Sequence, residues 1–245
     1  MNPKDRVALI TGGARIGQAV AKALVDRGAH LALVFRHSER SAKASAAYAQ
    51  SKGRKSLTLK ADLTFDGDLA DIIPKVRAKF GRLDILVNMA STFDRTPLKF
   101  AGLKVLDGSL ESNLRHIYGL SREAAPLMRK KGGGRIINFS DWTAASGRPR
   151  YREYAPYYAA KSGVIGLTQA LALELAPDIL VNAIAPGPIM PPAGISKKES
   201  AEVVRATPLA RWGQAEEVAK AVLFLIETEF VTGECIRVDG GRHLF

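Results

Sequence analysis

The chain has 245 residues, of which 47% are hydrophobic and 24% charged, with a formal net charge of +12. This balance is that of a globular protein, long enough for one α/β domain or two small ones, and it excludes a disordered or fibrous chain. The lone Cys235 excludes an internal disulfide and suits a reducing compartment, and no apolar run approaches the ~18 residues of a membrane helix.

Val7–Thr11, the first apolar run, is too short for a secretory signal, so a cytoplasmic location is expected. Short β-rich runs then alternate with helical patterns. Strands are predicted at Val7–Thr11, Leu31–Phe35, Ser56–Lys60, Ile85–Asn88, Arg135–Phe139, Leu180–Ile184 and Cys235–Val238. Helices are predicted at Gln18–Arg27, Glu39–Ser51, Leu69–Phe80, Leu110–Arg129, Tyr157–Leu175 and Ala215–Glu227. Regular β-α-β alternation with apolar strands predicts a parallel sheet covered on both faces. No linker, repeat or change of composition divides the chain, so one doubly wound α/β domain is expected. Pro186 to Pro208 contains five prolines and reads as the longest irregular piece. Following a strand's carboxyl end, it would lie over the ligand crevice as a substrate lid, or run as a plain surface loop.

The basic residues are scattered in small groups, without a groove-reading motif or aromatic interleaving, so nucleic acid is not expected as a partner. An anionic cofactor, an acidic substrate or an acidic carrier protein suits the same charge. Gly12-Gly13-Ala14-Arg15-Ile16-Gly17 joins the first strand to its helix. Glycines there let the backbone approach a pyrophosphate at a helix N-terminus. The second strand ends in Phe35-Arg36-His37-Ser38, with no carboxylate to accept from a ribose 2′-hydroxyl. Arg36 can fork onto a 2′-phosphate, Ser38 can donate to it and Arg15 is near, which favours NADP(H) over NAD(H). Asp62, followed by Leu63, can meet the adenine amino group. Further on, Tyr157 and Lys161 stand four apart and share a helix face. A neighbouring ammonium lowers a phenol's pKa towards the range useful for proton transfer.

Taken in order, these marks resemble the short-chain dehydrogenase/reductase family. They are Thr11-Gly12…Gly17, Asn88-Met89-Ala90-Ser91, Asn113, Ser140-Asp141, Tyr157/Lys161, Pro186-Gly187 and Val238-Asp239-Gly240-Gly241. The resemblance covers residues 5 to 242. It implies a Rossmann-type sheet, a small-molecule substrate and a homotetramer built partly on the two longest helices, with Ala160, Gly163 and Gly166 allowing close contact. It also implies roles. Tyr157 gives its proton to the substrate, Lys161 holds the nicotinamide ribose, and Asn113 anchors a water-linked proton path. Asn88 and Ala90 line the adenosine side, Pro186 and Gly187 pack near the carboxamide, and the glycine turn with Ile16 seats the pyrophosphate. No metal is expected.

Three departures from the family's pattern bear on the substrate. The glycine turn is one residue short, with Arg15 near the place of its second glycine. Asp141 stands where an orienting serine is usual, sixteen residues before Tyr157 rather than thirteen, with Arg148–Glu153 absorbing the insertion. An ionised aspartate only accepts hydrogen bonds, so Asp141 suits a substrate presenting N–H groups or must be protonated to act as a donor, unless Ser140 takes the serine's part. Phe93, in Ser91-Thr92-Phe93, can stack on a flat ring. Arg15, Phe93 and Asp141 together resemble the pteridine reductase branch. Thr207–Val218 is similar to the 3-oxoacyl-(acyl-carrier-protein) reductases. The expected function is therefore an NADPH-dependent reductase of a pteridine-like heterocycle. Alternatives are reduction of a 3-oxoacyl thioester or other carbonyl, and an idle NADP(H) sensor.

Overall fold

A computed structural model describes every residue except Gly13, Ala193 and Phe245. The strands are β1 (Val7–Thr11), β2 (His30–Phe35), β3 (Ser56–Lys60), β4 (Ile85–Asn88), β5 (Gly134–Phe139), β6 (Ile179–Pro186) and β7 (Cys235–Val238). They form one parallel 7-stranded sheet in the order β3-β2-β1-β4-β5-β6-β7. Each lies within two residues of its expected bounds. The doubly wound α/β fold read from the alternation is the fold observed.

β1 shows how the pattern produces two faces. Successive strand side chains point to opposite sides, and all of Val7, Ala8, Leu9 and Ile10 are buried. Ala8 and Ile10 pack on α1 (Ile16–Asp26), α2 (Glu39–Ser51) and α9 (Ala215–Glu227) through residues such as Leu24, Ala42 and Val222. Val7 and Leu9 pack on α3 (Asp66–Phe80), α5 (His116–Arg129) and α7 (Ala155–Leu175) through Ile72, Leu120 and Leu171. Each wholly buried Leu or Ile contributes about 1.5–3 kcal/mol, so this central strand anchors both layers.

The helix expected over Leu110–Arg129 is three pieces: α4 (Leu103–Leu110), a π-helical turn (Glu111–Arg115) and α5. Asn113 lies in the widened turn. Its Nδ2 donates to Ser109 O at 3.0 Å, and its Oδ1 accepts from Thr92 N at 3.1 Å. An inserted residue breaks the helical period locally, which is why hydrophobic spacing did not reveal it. A short helix, α6 (Trp142–Ala145), follows β5.

The span Pro186–Pro208 is not irregular throughout: it holds α8 (Lys197–Arg205). Its start is a capping box. Ser196 Oγ accepts from Glu199 N at 3.1 Å, and Glu199 Oε2 accepts from Ser196 N at 3.0 Å. Ser196-Lys197-Lys198-Glu199 carries the sequence signal for this box, although no helix was expected in the span. Among the described residues, no helix is long and apolar enough to cross a membrane, and no cluster of His, Cys, Asp and Glu could hold a metal ion.

Candidate active site

Between β1 and β4 the strand order reverses, and a crevice of about 1170 Å³ opens at the carboxyl ends of the sheet. Its floor is the glycine turn. Gly12 has φ +82°, and a Cβ there would stand 3.0 Å from Ala90 N. Thr11 Oγ1 accepts from Met89 N and Ala90 N at 3.1 and 3.2 Å, clamping the end of β4 to the turn. A Cβ on Gly17 would collide with the Gly12 carbonyl oxygen, so that glycine closes the turn from beneath. Gly13 lies outside the described residues.

Arg15, at φ +51°, caps α1. Its Nη2 donates to Pro191 O at 2.9 Å and Met190 O at 3.2 Å, joining the turn to the segment over the crevice. Ile16, Ala90, Pro186 and Gly187 line the crevice. So do Pro188, Ile189, Ile195, Glu199 and Val203 of the segment after β6. Gly187 must be glycine, because a Cβ would strike Asp239.

Arg36, His37 and Ser38 line the far end with Asp62 and Leu63. Arg36 Nε lies 3.2 Å from Asp62 Oδ2. Asp62 Oδ1 accepts from Thr64 Oγ1 at 2.7 Å and from Thr64 N at 3.1 Å. Those hydrogen bonds, then the Arg36 charge, hold the Asp62 carboxyl below its usual range. Asn88 departs from expectation. It is buried in the sheet, its Nδ2 donates to Asn138 Oδ1 at 2.9 Å, and it does not line the crevice. The equivalent rung on β5 is also an asparagine, which accepts from the Asn88 amide, while Asn88 Oδ1 has no partner among the described residues.

The chemistry-bearing side chains meet behind the crevice wall. Tyr157 OH donates to Asp141 Oδ2 at 3.1 Å. Asp141 Oδ1 accepts from Thr143 Oγ1 at 2.6 Å and Thr143 N at 2.8 Å, as the N-cap of α6. Ser140 Oγ instead donates to Lys161 O at 2.8 Å, which fixes α7 to the end of β5. Asp141, not Ser140, therefore faces the tyrosine. Lys161 is 2% exposed, donates from Nζ to Phe139 O at 2.8 Å, and lies 5.8 Å from the Tyr157 ring centre. Burial brings its pKa down to about 8.

The expected acidification of the phenol is not seen. Burial, and then the Asp141 carboxylate as charge and hydrogen-bond acceptor, push Tyr157 well above its usual value. Lys161 spends its ammonium on a backbone carbonyl while the carboxylate holds the phenolic proton. The phenol therefore stays protonated in this arrangement, with its proton directed at Asp141 Oδ2.

Phe93 is 52% exposed at the mouth. It stacks on Tyr154, with centroids 4.4 Å apart, and meets Tyr157 edge-on at 4.8 Å. Tyr151 completes the cluster and accepts from Trp142 Nε1 at 2.8 Å. Trp142, Tyr151 and Tyr154 were missed in the sequence. Their signal was available: two tyrosines within and beside the arginine-rich insertion after Asp141.

The family described as enoyl-(acyl carrier protein) reductase matches residues 13–243. The 3-oxoacyl-(acyl-carrier-protein) reductase of Escherichia coli strain K12 is 36% identical, with 100% of each chain covered. A short-chain dehydrogenase/reductase from Serratia marcescens superposes with TM-score 0.91 at 33% identity, covering 99% of this chain and 100% of that one. The chain belongs to the short-chain dehydrogenase/reductase family. FolM alternative dihydrofolate reductase 1 from Brucella canis, complexed with NADP, superposes on this family member with TM-score 0.90 at 27% identity, covering 100% and 97%. The chain is an NADP(H)-dependent oxidoreductase. The β2 tip carries Arg36 and Ser38 without a carboxylate, and both line one crevice with the Gly12 turn, so the residues present fit the phosphorylated dinucleotide.

Proposed function

We propose that this reductase delivers hydride to a carbonyl carbon and that Tyr157 protonates the oxygen, with a 3-oxoacyl thioester as the leading substrate class. The observation that carries this reading is the end-to-end 36% identity with the E. coli 3-oxoacyl-(acyl-carrier-protein) reductase. The +12 net charge would draw an acidic carrier. When bound, the reduced nicotinamide supplies the hydride. Arg36 and Ser38 would hold the 2′-phosphate, the Gly12 turn with Ile16 and Gly17 would admit the pyrophosphate, and Lys161 would hold the ribose. The phenolic proton moves from Tyr157 to the substrate, leaving a phenolate. Lys161, with its lowered pKa, passes a proton back towards it, and Asn113 holds the neighbouring loop through Thr92. The active unit is a homotetramer, for which Leu103 and Tyr118 on one side and Phe224 and Phe230 on another are exposed apolar anchors. Ala160 and Gly163 serve packing within the subunit, the latter against Leu114, while Gly166 stands open.

A second reading is favoured by one specific observation, the Tyr157–Asp141 hydrogen bond. A carboxylate beside the proton donor opposes negative charge growing on a carbonyl oxygen. It welcomes instead the N–H groups of a planar heterocycle, with Phe93 and Arg15 near. A pteridine-like substrate meets that demand, and the Brucella canis dihydrofolate reductase has the same fold. Steady-state NADPH oxidation with acetoacetyl thioesters, dihydrobiopterin and dihydrofolate separates the two. Turnover of only the heterocycles sinks the leading reading, and turnover of only the thioester sinks the second. NADPH binding with no turnover of any carbonyl or pterin would leave a non-catalytic sensor.

A further inference from the structure

The chain closes with a tight turn beside the crevice. Gly240 and Gly241 have φ +62° and +82°, left-handed conformations that suit glycine. The buried Asp239 locks the reversal. Its Oδ1 accepts from Gly241 N at 3.0 Å and its Oδ2 from His243 N at 3.1 Å, with His243 Nδ1 2.7 Å away. Arg242 N donates to Asp239 O at 3.1 Å. This turn sends the half-buried Arg242 side chain into the crevice lining. The guanidinium lies 5.8 Å from the Trp142 ring centre, and Nη1 donates to Val203 O at 3.4 Å.

The other guanidiniums along the crevice are occupied, Arg15 by lid carbonyls and Arg36 by Asp62. The nearby carboxylates are occupied too. Asp239 holds its own turn, and Glu199 is committed to Ser196. Among the described residues Arg242 meets no carboxylate, yet it is aimed by two glycines and an aspartate and steadied on an indole face. A guanidinium fixed in this way binds a carboxylate or phosphate through a planar fork.

We propose that Arg242 is a specificity residue that receives an anionic group of the substrate, a carboxylate or a phosphate. The proposal rests on the reading of this crevice as the substrate site. It applies to either substrate class. A coenzyme or carrier thioester bears phosphate on its arm, and a reduced folate bears carboxylates on its tail.

The test compares matched pairs with wild type, Arg242→Gln and Arg242→Lys. One pair is acetoacetyl-coenzyme A with acetoacetyl-N-acetylcysteamine, and the other is dihydrofolate with dihydrobiopterin. Only the first member of each pair carries the anion. Arg242→Gln should reduce the kcat/KM preference for the anion-bearing member at least tenfold, through KM. Arg242→Lys should retain part of that preference, keeping charge without the fork. Whichever pair responds identifies the source of the anion. An unchanged preference in both pairs overturns the proposal. If wild type turns over none of the four, the proposed function fails by itself. Calorimetric affinities of the same compounds for NADP⁺-loaded enzyme then decide this proposal, and equal affinities for wild type and Arg242→Gln overturn it.

Discussion

At the glycine turn after β1 and the end of β4 the crevice floor depends on close backbone approach, whereas after β5 and at the final turn its wall is made by side chains. At Gly12 and Ala90 the fit depends on atoms every residue possesses, plus the absence of a Cβ. At Phe93, Trp142, Tyr151 and Tyr154 it depends on particular rings, with Tyr157 and Asp141 behind them. A backbone wall fits one constant ligand and leaves little room for variation. A side-chain wall can be respecified residue by residue.

The strongest way to break the contrast is to silence the side-chain wall alone. Tyr157→Phe should lower kcat by about a hundredfold or more, the usual range for removing a positioned proton donor. NADPH binding, followed by quenching of protein fluorescence, should persist. If turnover survives at half the wild-type rate or better, Tyr157 is not the donor.

The next contrast is in pH. His116 is wholly buried at the start of α5, and neither ring nitrogen has a partner among the described residues. Burial, and then the Lys161 charge, bring its pKa from 6.5 to about 4. The unfolded chain therefore binds a proton between those values that the folded chain refuses. Stability is complete above pH 6.5 and falls as pH drops towards about 4, by up to about 3 kcal/mol. Urea unfolding at pH 7 and pH 4 should show this loss in wild type and a smaller one in His116→Gln. Equal losses would mean the imidazole is not the group responsible.

The fold was legible because burial on both faces writes itself as apolar runs such as Val7–Ile10, and the glycine turn because only glycine fits. The proton set was legible as residue types at their spacing, Tyr157 with Lys161. The direction of their influence was not. Spacing places Lys161 on the same helix face as Tyr157, but not its Nζ on Phe139 O, a partner from another strand. The packing of Tyr151 and Tyr154 on Phe93 was hidden for the same reason, since it joins segments remote in the chain.

On the dinucleotide side, we propose that Arg36 sets the choice of cofactor. It is exposed and shares its charge with Asp62, so its grip on a 2′-phosphate is that of a surface guanidinium. Arg36→Ala should lower the preference for NADPH over NADH about tenfold to a hundredfold, the range for losing a hydrogen bond to a charged group. An unchanged preference would shift the role to Ser38 or Arg15.

The smallest effect tests whether α8 belongs to the side-chain wall at all. No residue of this helix is buried, so little packing holds it. Trp212 Nε1 donating to Ser200 Oγ at 3.1 Å is one tie to the body, and the Ser196–Glu199 capping box is another. Ser196→Ala removes an N-cap worth about 1 kcal/mol. Because local opening is set by local stability, amide exchange across Glu199–Arg205 should quicken roughly fivefold, while β1 keeps its wild-type protection. Glu199 and Val203 line the crevice, so a looser α8 should also raise KM for the substrate more than KM for NADPH. Faster exchange with both KM values unmoved would make α8 a surface helix beside the site, and the substrate wall would then end at Ile195.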